Sequence, residues 1–343
     1  MKLYNKENRE VLKERILHSE EKRNTVSFYN YYQLKNPAFV RDYLFIEFDK
    51  LGVLGRIYVA HEGINAQASV PQQNWDAFVS FMDSVDFLHG LRLNTAVEND
   101  DRSFFKLIVR LKDKIVADGL NDATFDVTDK GTHLSAEAFN AITENPETIL
   151  VDMRNHYESE VGHFEGAWCP DVDTFREQLP LVVNELADKK DKPVVMYCTG
   201  GIRCEKASAW LKHNGFKDVY QLEGGIIKYA RDAKAQGLPI KFRGKNFVFD
   251  ERLGERINEE IIAHCHQCGE PADTHVNCAN KACNLLFIQC KACGEKTEIT
   301  CSPECHAIVQ LPEEEQVILR KNRDPGIRIF SKGRFRESID HRP

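Results

Sequence analysis

The hexapeptide Cys198-Thr199-Gly200-Gly201-Ile202-Arg203 follows the apolar run 193–197 and precedes a stretch of helical spacing. A cysteine there stands at the mouth of a parallel sheet and faces the N-terminus of the next helix. Gly200 and Gly201 let successive backbone N–H groups turn inward as an anion-binding nest, and Arg203 closes it with a fixed positive charge. Such surroundings favour the thiolate of Cys198, the nucleophilic form. A structural cysteine at a strand end would explain neither the glycines nor the arginine. Cys204 could resolve an oxidised or sulfur-loaded Cys198. It opens a helix whose side chains turn away from the nest, however, so a packing role is expected. Cys169 reads as packing alone. Asp152 and Arg154 form either an acid/base set or a buried ion pair bracing the base of the loop; their spacing does not decide.

A second chemistry sits downstream. Of eleven cysteines, eight fall between residues 265 and 305, as Cys265-x2-Cys268, Cys278-x4-Cys283, Cys290-x2-Cys293 and Cys301-x3-Cys305. Short loops between paired thiolates let two ligands meet one tetrahedral ion, and eight thiolates suit two zinc sites of four cysteines each. The first and third pairs could share one ion and the second and fourth the other, or the pairing could be sequential. His264, His266, His275 or His306 could replace a thiolate. An iron–sulfur cluster would use the same ligand type, but nothing else in the chain suggests an electron path. The ions are expected to be structural, because so short a segment has little core of its own.

The elements that must position these residues follow from periodicity. Residues 1–23 are a charged leader with a short amphipathic helix through Val11, Ile16 and Leu17. Strands are expected at 26–32, 56–60, 64–70, 91–97 and 104–111, and helices at 37–50 and 75–85. That order, β-α-β-β-α-β over residues 24–120, is the split ferredoxin-like (acylphosphatase-like) α+β motif. From about residue 132 the texture becomes α/β, with helices at 134–143 and 205–214, the latter ending at Gly215, and buried parallel-type strands at 149–152, 193–197 and 219–222. Residues 125–240 form this unit, 241–310 an extension with the cysteine-rich segment, and 311–343 a basic tail.

The 343 residues are 42% hydrophobic and 29% charged, the composition of a globular multidomain protein. A net charge of −7 argues against nucleic-acid binding by bulk charge. The charge is segregated, however: residues 319–343 hold eight Lys/Arg against three Asp/Glu, a net +5 that leaves the remainder at −12. Phe330 and Phe335 interleave there with Arg328, Lys332, Arg334 and Arg336, a combination suited to phosphate contacts and base stacking. Lys241, Arg243 and Lys245 lie beside the α/β unit. With no apolar leader and no membrane-length apolar run, a cytoplasmic protein is expected, in which paired cysteines mean metal or catalysis.

The loop resembles that of rhodanese domains, which carry a cysteine and, five positions on, an arginine. Val151-Asp152-Met153-Arg154, residues 162–167 and Leu222-Glu223-Gly224-Gly225 are rhodanese-like too. Phosphatase relatives carry one more loop residue, so the shorter loop is similar to the sulfur-handling type, able to hold a persulfide on Cys198. The whole layout resembles the bacterial tRNA uridine-34 hydroxylases, on residues 56–65 (Arg56 to Asn65), 197–203 and 244–250 together with the cysteine pairs. That resemblance implies oxygen-dependent formation of 5-hydroxyuridine at the wobble position, with the anticodon arm of tRNA as partner and Cys198 as key cysteine. No flavin fingerprint, haem motif or two-His-one-carboxylate set accompanies it, so neither the route of oxygen activation nor the sulfur or electron donor follows from these residues. A plain thiosulfate or persulfide sulfurtransferase, or a zinc-stapled RNA-binding module with an idle loop, are the other readings.

Overall fold

The computed structural model describes residues 7–98 and 101–321. Arg328, Lys332, Arg334 and Arg336 lie outside these residues. The leader forms α1 (Arg9–Leu17), where the Asn8 side chain accepts from the Glu10 N–H.

The first unit runs β1 (Arg23–Tyr31), α2 (Pro37–Lys50), β2 (Leu54–Ala60), β3 (Gly63–Pro71), α3 (Trp75–Ser84), β4 (Asn94–Thr95) and β5 (Leu107–Leu111). Asn36 caps α2 by accepting from the Phe39 N–H, and Pro37 fills the first turn where no donor is needed. The sheet order is β4-β1-β3-β2-β5. Its first four strands are antiparallel in the ferredoxin-like order, while β5 joins β2 in parallel. The run 91–97 thus shortens to two paired residues, and the run expected from 104 becomes an additional edge strand. Between β2 and β3 the turn needs Gly63, whose φ is +136° and whose hypothetical Cβ would lie 1.9 Å from the Asn30 carbonyl oxygen.

Period-two alternation gives this sheet two unlike faces. Val26, Phe28, Ile57, Val59, Ile64, Ala66 and Ala68 are buried in a core with Leu44, Phe48, Phe78 and Met82 of α2 and α3. Ser27, Tyr29, Arg56, Tyr58, Asn65 and Gln67 alternate with them on the opposite face, half-buried.

The central unit runs β6 (Thr132–Leu134), α4 (Ala136–Ile142), β7 (Ile149–Asp152), α5 (His156–Ser159), β8 (Gly162–Phe164), α6 (Phe175–Glu185), β9 (Val194–Tyr197), α7 (Ile202–His213), β10 (Val219–Leu222) and α8 (Gly225–Gln236). Its parallel sheet has the order β6-β10-β9-β7. Residues 132–134 form an edge strand before the expected helix, which starts one residue after Ser135, its cap. The helix expected from 205 begins at Ile202, inside the cysteine loop. β8 leaves this sheet and pairs with β11 (Phe242–Asn246), which pairs with β12 (Glu255–Arg256). The segment after residue 241 is therefore woven into the central body. Beyond it come β13 (His275–Asn277), β14 (Leu286–Ile288), α9 (Lys291–Thr297), α10 (Pro303–Val309) and α11 (Glu313–Lys321). No helix among the described residues is long and apolar enough to cross a membrane.

The first unit docks its polar face on α7. Lys206, 1% exposed, bonds both oxygens of Glu62 at 2.9 and 2.8 Å, pairs with the equally buried Asp118, and lies 5.6 Å from the centre of the Tyr31 ring. Glu62 also accepts the Ile115 N–H at 2.7 Å. Removing one partner of a buried ion pair leaves the other uncompensated, typically at about 3–5 kcal/mol. Lys114 stays on Asp118 at 2.6 Å and softens the loss. Lys206→Met is accordingly expected to lower stability by about 3 kcal/mol in equilibrium urea unfolding; a change under about 1 kcal/mol would show that the clamp contributes little.

Candidate active site

Cys198 follows directly after β9, a strand buried at all four positions. Gly201 caps α7 with φ +100° and donates its N–H to Cys198 Sγ at 3.1 Å. A Cβ at Gly201 would meet the Tyr29 hydroxyl at 2.9 Å, so the first unit also requires glycine here. Gly225, with φ +65°, lets α8 pass beneath the loop: a Cβ there would lie 2.4 Å from the Cys198 carbonyl oxygen, which instead accepts the Ile226 N–H at 3.0 Å. Thr199 O accepts from Ile227 N–H at 3.2 Å.

Cys198 has no exposed surface, which by itself would raise its pKa. The Cys204 thiol's hydrogen bond, the Arg203 charge and the backbone amides of Cys204 and Arg203 outweigh that burial and bring it down to about 6. Cys204 therefore does not simply turn into the core. It packs there, but its thiol also reaches the Cys198 sulfur, and burial together with that bond pushes its own pKa well up. Arg203 also has a partner of its own. Its guanidinium grips Glu158 at both oxygens, 2.5 and 2.8 Å away, with Glu158 fully buried, and stands 5.8 Å from the Phe249 ring centre. Glu158 was not among the expected site residues. Its sequence signal is the capping box, in which its carboxylate accepts the Asn155 N–H at 3.0 Å.

Asp152 and Arg154 are the brace, not an acid/base set facing the site. Both are fully buried, and Arg154 bonds Asp152 through Nε at 2.9 Å and through Nη2 at 2.6 Å, with Nη2 also on the Gly162 carbonyl at 2.6 Å. Gln178 donates to the carbonyls of Asp152 and Arg154 at 2.7 and 3.2 Å. Cys169 sits behind them with its thiol pushed up to about 12, by burial first and Asp152 second.

A cavity of about 390 Å³ opens over Cys198. Thr199, Gly200, Ile202 and Arg203 form its floor; Ser27, Tyr29, Arg56, Tyr58, Asn65 and Gln67 of the first sheet form its roof; Val248, Phe249, Asp250, Arg252 and Glu255 form a third wall. Tyr29 donates to Glu205 at 2.9 Å and Tyr31 to the Ile202 carbonyl at 3.2 Å, fixing roof to floor. Burial opposes ionisation of Glu205, but His133 and Lys130 overcome it and hold the carboxyl down to about 2. Ser27 Oγ, Asn155 Oδ1 and Glu255 Oε2 have no hydrogen-bond partner among the described residues, and all three residues line the cavity.

The eight cysteines of the last unit gather as Cys265, Cys268, Cys290 and Cys293, and as Cys278, Cys283, Cys301 and Cys305, the sulfurs of each group lying within 4.8 Å of one another. The pairing is crossed, first with third and second with fourth. Each group could hold a metal ion, and a four-thiolate donor set suits zinc. His266 bonds Glu160 at 2.8 Å and His275 packs edge-on against Phe247, so neither joins a group. Lys241 Nζ donates to the Asn140 carbonyl at 2.6 Å and Arg243 pairs with Glu260 at 2.8 Å, so both cations have partners in the fold.

A parallel sheet that delivers a low-pKa cysteine into a six-residue loop ending in arginine defines a rhodanese-type cysteine protein. Residues 135–232 match the Rhodanese-like domain, 23–115 the UPF0176 acylphosphatase like domain and 243–306 the Rhodanase C-terminal family. A Yersinia enterocolitica protein named tRNA uridine(34) hydroxylase is 56% identical over 97% of this chain and 95% of its own. Proteins of the same name from an Enterobacter species and Photorhabdus laumondii are each 54% identical over 97% of this chain, covering 96% and 95% of theirs. The chain belongs to the tRNA uridine(34) hydroxylase family.

The Cys198 thiolate is expected to titrate near pH 6, so it is the prevailing form at neutral pH and is lost as the medium becomes acid. Replacing Cys204 by alanine removes the leading hydrogen bond and is expected to raise that midpoint. Thiolate absorbance against pH, corrected with Cys198→Ser, measures both; an unmoved midpoint would leave the loop amides and Arg203 as the whole cause.

Proposed function

We propose that this chain is a tRNA-modifying enzyme that hydroxylates uridine 34 to 5-hydroxyuridine with dioxygen as substrate, and that Cys198 is its catalytic residue. The observation that carries this reading is the walled cavity with a thiolate-biased cysteine on its floor. RNA sites commonly take a base splayed from its stack, and the cavity has room for one nucleoside. Tyr29, Arg56, Asn65 and Gln67 line it with polar side chains.

Addition of Cys198 Sγ to C6 of a uracil ring places electron density on C5, the carbon that gains oxygen. C5 then bonds to one oxygen of dioxygen. The O–O bond breaks as a two-electron donor reduces it and the other oxygen leaves as water, and loss of the C5 proton with departure of the thiolate restores the ring double bond. Uridine, dioxygen, two electrons and two protons yield 5-hydroxyuridine and water, so a two-electron donor completes the reaction. The loop amides and Arg203 stabilise the sulfur's negative charge as it forms and departs, while Glu158, Asp152 and Arg154 position the loop. Residues 24–120, 125–240 and 241–310 each contribute one wall. The two four-cysteine groups hold one zinc ion each in a structural role, since a closed four-thiolate shell leaves no position for substrate. A tRNA substrate places the protein in the cytoplasm.

The six-residue loop also favours a second reading, a sulfurtransferase that carries a persulfide on Cys198. Nucleoside analysis of tRNA from cells carrying Cys198→Ser decides between them. Loss of 5-hydroxyuridine and its derivatives, present only with oxygen in the wild type, is expected; undiminished levels would sink the assignment. Rapid thiosulfate–cyanide turnover without RNA, and without hydroxylation, would favour the sulfurtransferase. Elemental analysis is expected to return about two zinc per chain, and about one after Cys278→Ser; a folded, metal-free protein would refute the structural role.

A further inference from the structure

We infer that a basic groove beside the catalytic cavity binds the phosphodiester backbone of the RNA strand whose base enters over Cys198. The inference rests on the tRNA reading above and adds the path of the strand. The groove, about 550 Å³, lies between β4 and α8 and is lined by Arg92, Asn94, Ile227, Lys228, Arg231 and Lys234 among others. It shares Asn94 and Ile227 with the Cys198 cavity, so the two lie side by side. Asn94 Nδ2 stands 3.5 Å from the Gly200 carbonyl, at the border between them.

The charge of the groove opposes that of the chain. Four cations line it, against Asp232 within and Glu223 at its edge, in a protein whose net charge is −7. The pairing that does occur sets geometry without neutralising the groove. Arg92 meets Glu223, and Lys228 reaches Asp232 one helical turn on. Arg231 is tethered through Nη1 to the hydroxyl and carbonyl of Thr95, neutral groups that fix its direction and leave its charge. Lys234 is exposed on the same helix. A guanidinium and an exposed ammonium are both phosphate-binding groups. A base lowered over Cys198 leaves its own sugar and phosphates at the cavity mouth, which is where the groove begins. The cations therefore meet the backbone, which carries no sequence information, while the cavity reads the base.

The test is binding of an unmodified tRNA anticodon stem-loop to the full chain across a salt series. Arg231→Ala with Lys234→Ala is expected to weaken binding about tenfold at low salt and to reduce the slope of log K against log salt by about 1.4, two contacts at about 0.7 each for a single strand. The Cys198 titration midpoint, about 6, should not move. Because Arg231 also ties α8 to β4, Lys234→Glu serves as a second variant that touches no other element, and Arg231→Lys with Lys234→Arg, which keeps both charges, should restore the slope. Unchanged affinity and slope in both charge-removing variants, with the wild type binding and hydroxylating tRNA, would overturn this inference alone. A wild type that neither binds nor hydroxylates the RNA would overturn the tRNA reading itself.

Discussion

The site depends on the Glu158–Arg203 ion pair sealed behind the cysteine loop. Removing a carboxylate and a guanidinium from water costs several kcal/mol for each, and a two-point contact with further hydrogen bonds is what makes such burial sustainable. Glu158 meets the condition by accepting the Asn155 N–H as well as both Arg203 nitrogens. Arg203 is consequently fixed in the first turn of α7, and the amides that surround Cys198 are fixed with it. Burial is the largest influence on the Cys198 thiol and opposes its ionisation; the Cys204 thiol leads the groups that favour the thiolate, followed by Arg203 and the amides.

Around this centre the protein builds a cavity from three parts of the chain. The roof works because a half-buried antiparallel sheet must present unlike residues on its two sides. One side of the first sheet is a hydrocarbon core and the other a row of hydroxyl, amide and guanidinium groups. Tyr29, Tyr31 and Lys206 fasten that polar side to α7, the same helix that carries Arg203 and Cys204. The cavity roof and the cysteine loop thus share one element, α7. The second wall pair, β8 with β11, ties residues after 241 to the back of the loop through the Gly162 carbonyl that Arg154 holds.

Much of this was legible in the residues. Local chemistry announced the loop, because two glycines and an arginine at that spacing have few other uses, and Gly201 does adopt the left-handed backbone that only glycine takes easily. The periodic runs announced most elements. What escaped was short or cooperative. β6 has three residues, too few to show a period, and β4 keeps only two of the expected run 91–97. β5 reads as any apolar strand, and nothing local says that it pairs in parallel at the far edge. The brace role of Asp152 and Arg154 depends on burial and on Gln178, 24 residues and more away, neither of which their spacing reveals.

The amino-acid sequence by itself determined the cysteine–glycine–arginine loop, the eight paired cysteines and the alternation that makes one sheet face polar, because each is a matter of residue type and spacing along a few turns or strands. Only the tertiary structure decided that the thiolates cross-pair, that Glu158 is Arg203's partner, and that the polar face closes over Cys198. Those outcomes rest on through-space distances of 2.5–4.8 Å between groups as far as 176 residues apart. A charge or a sulfur buried among such neighbours takes its ionisation from them, and no pattern local to the chain contains that information.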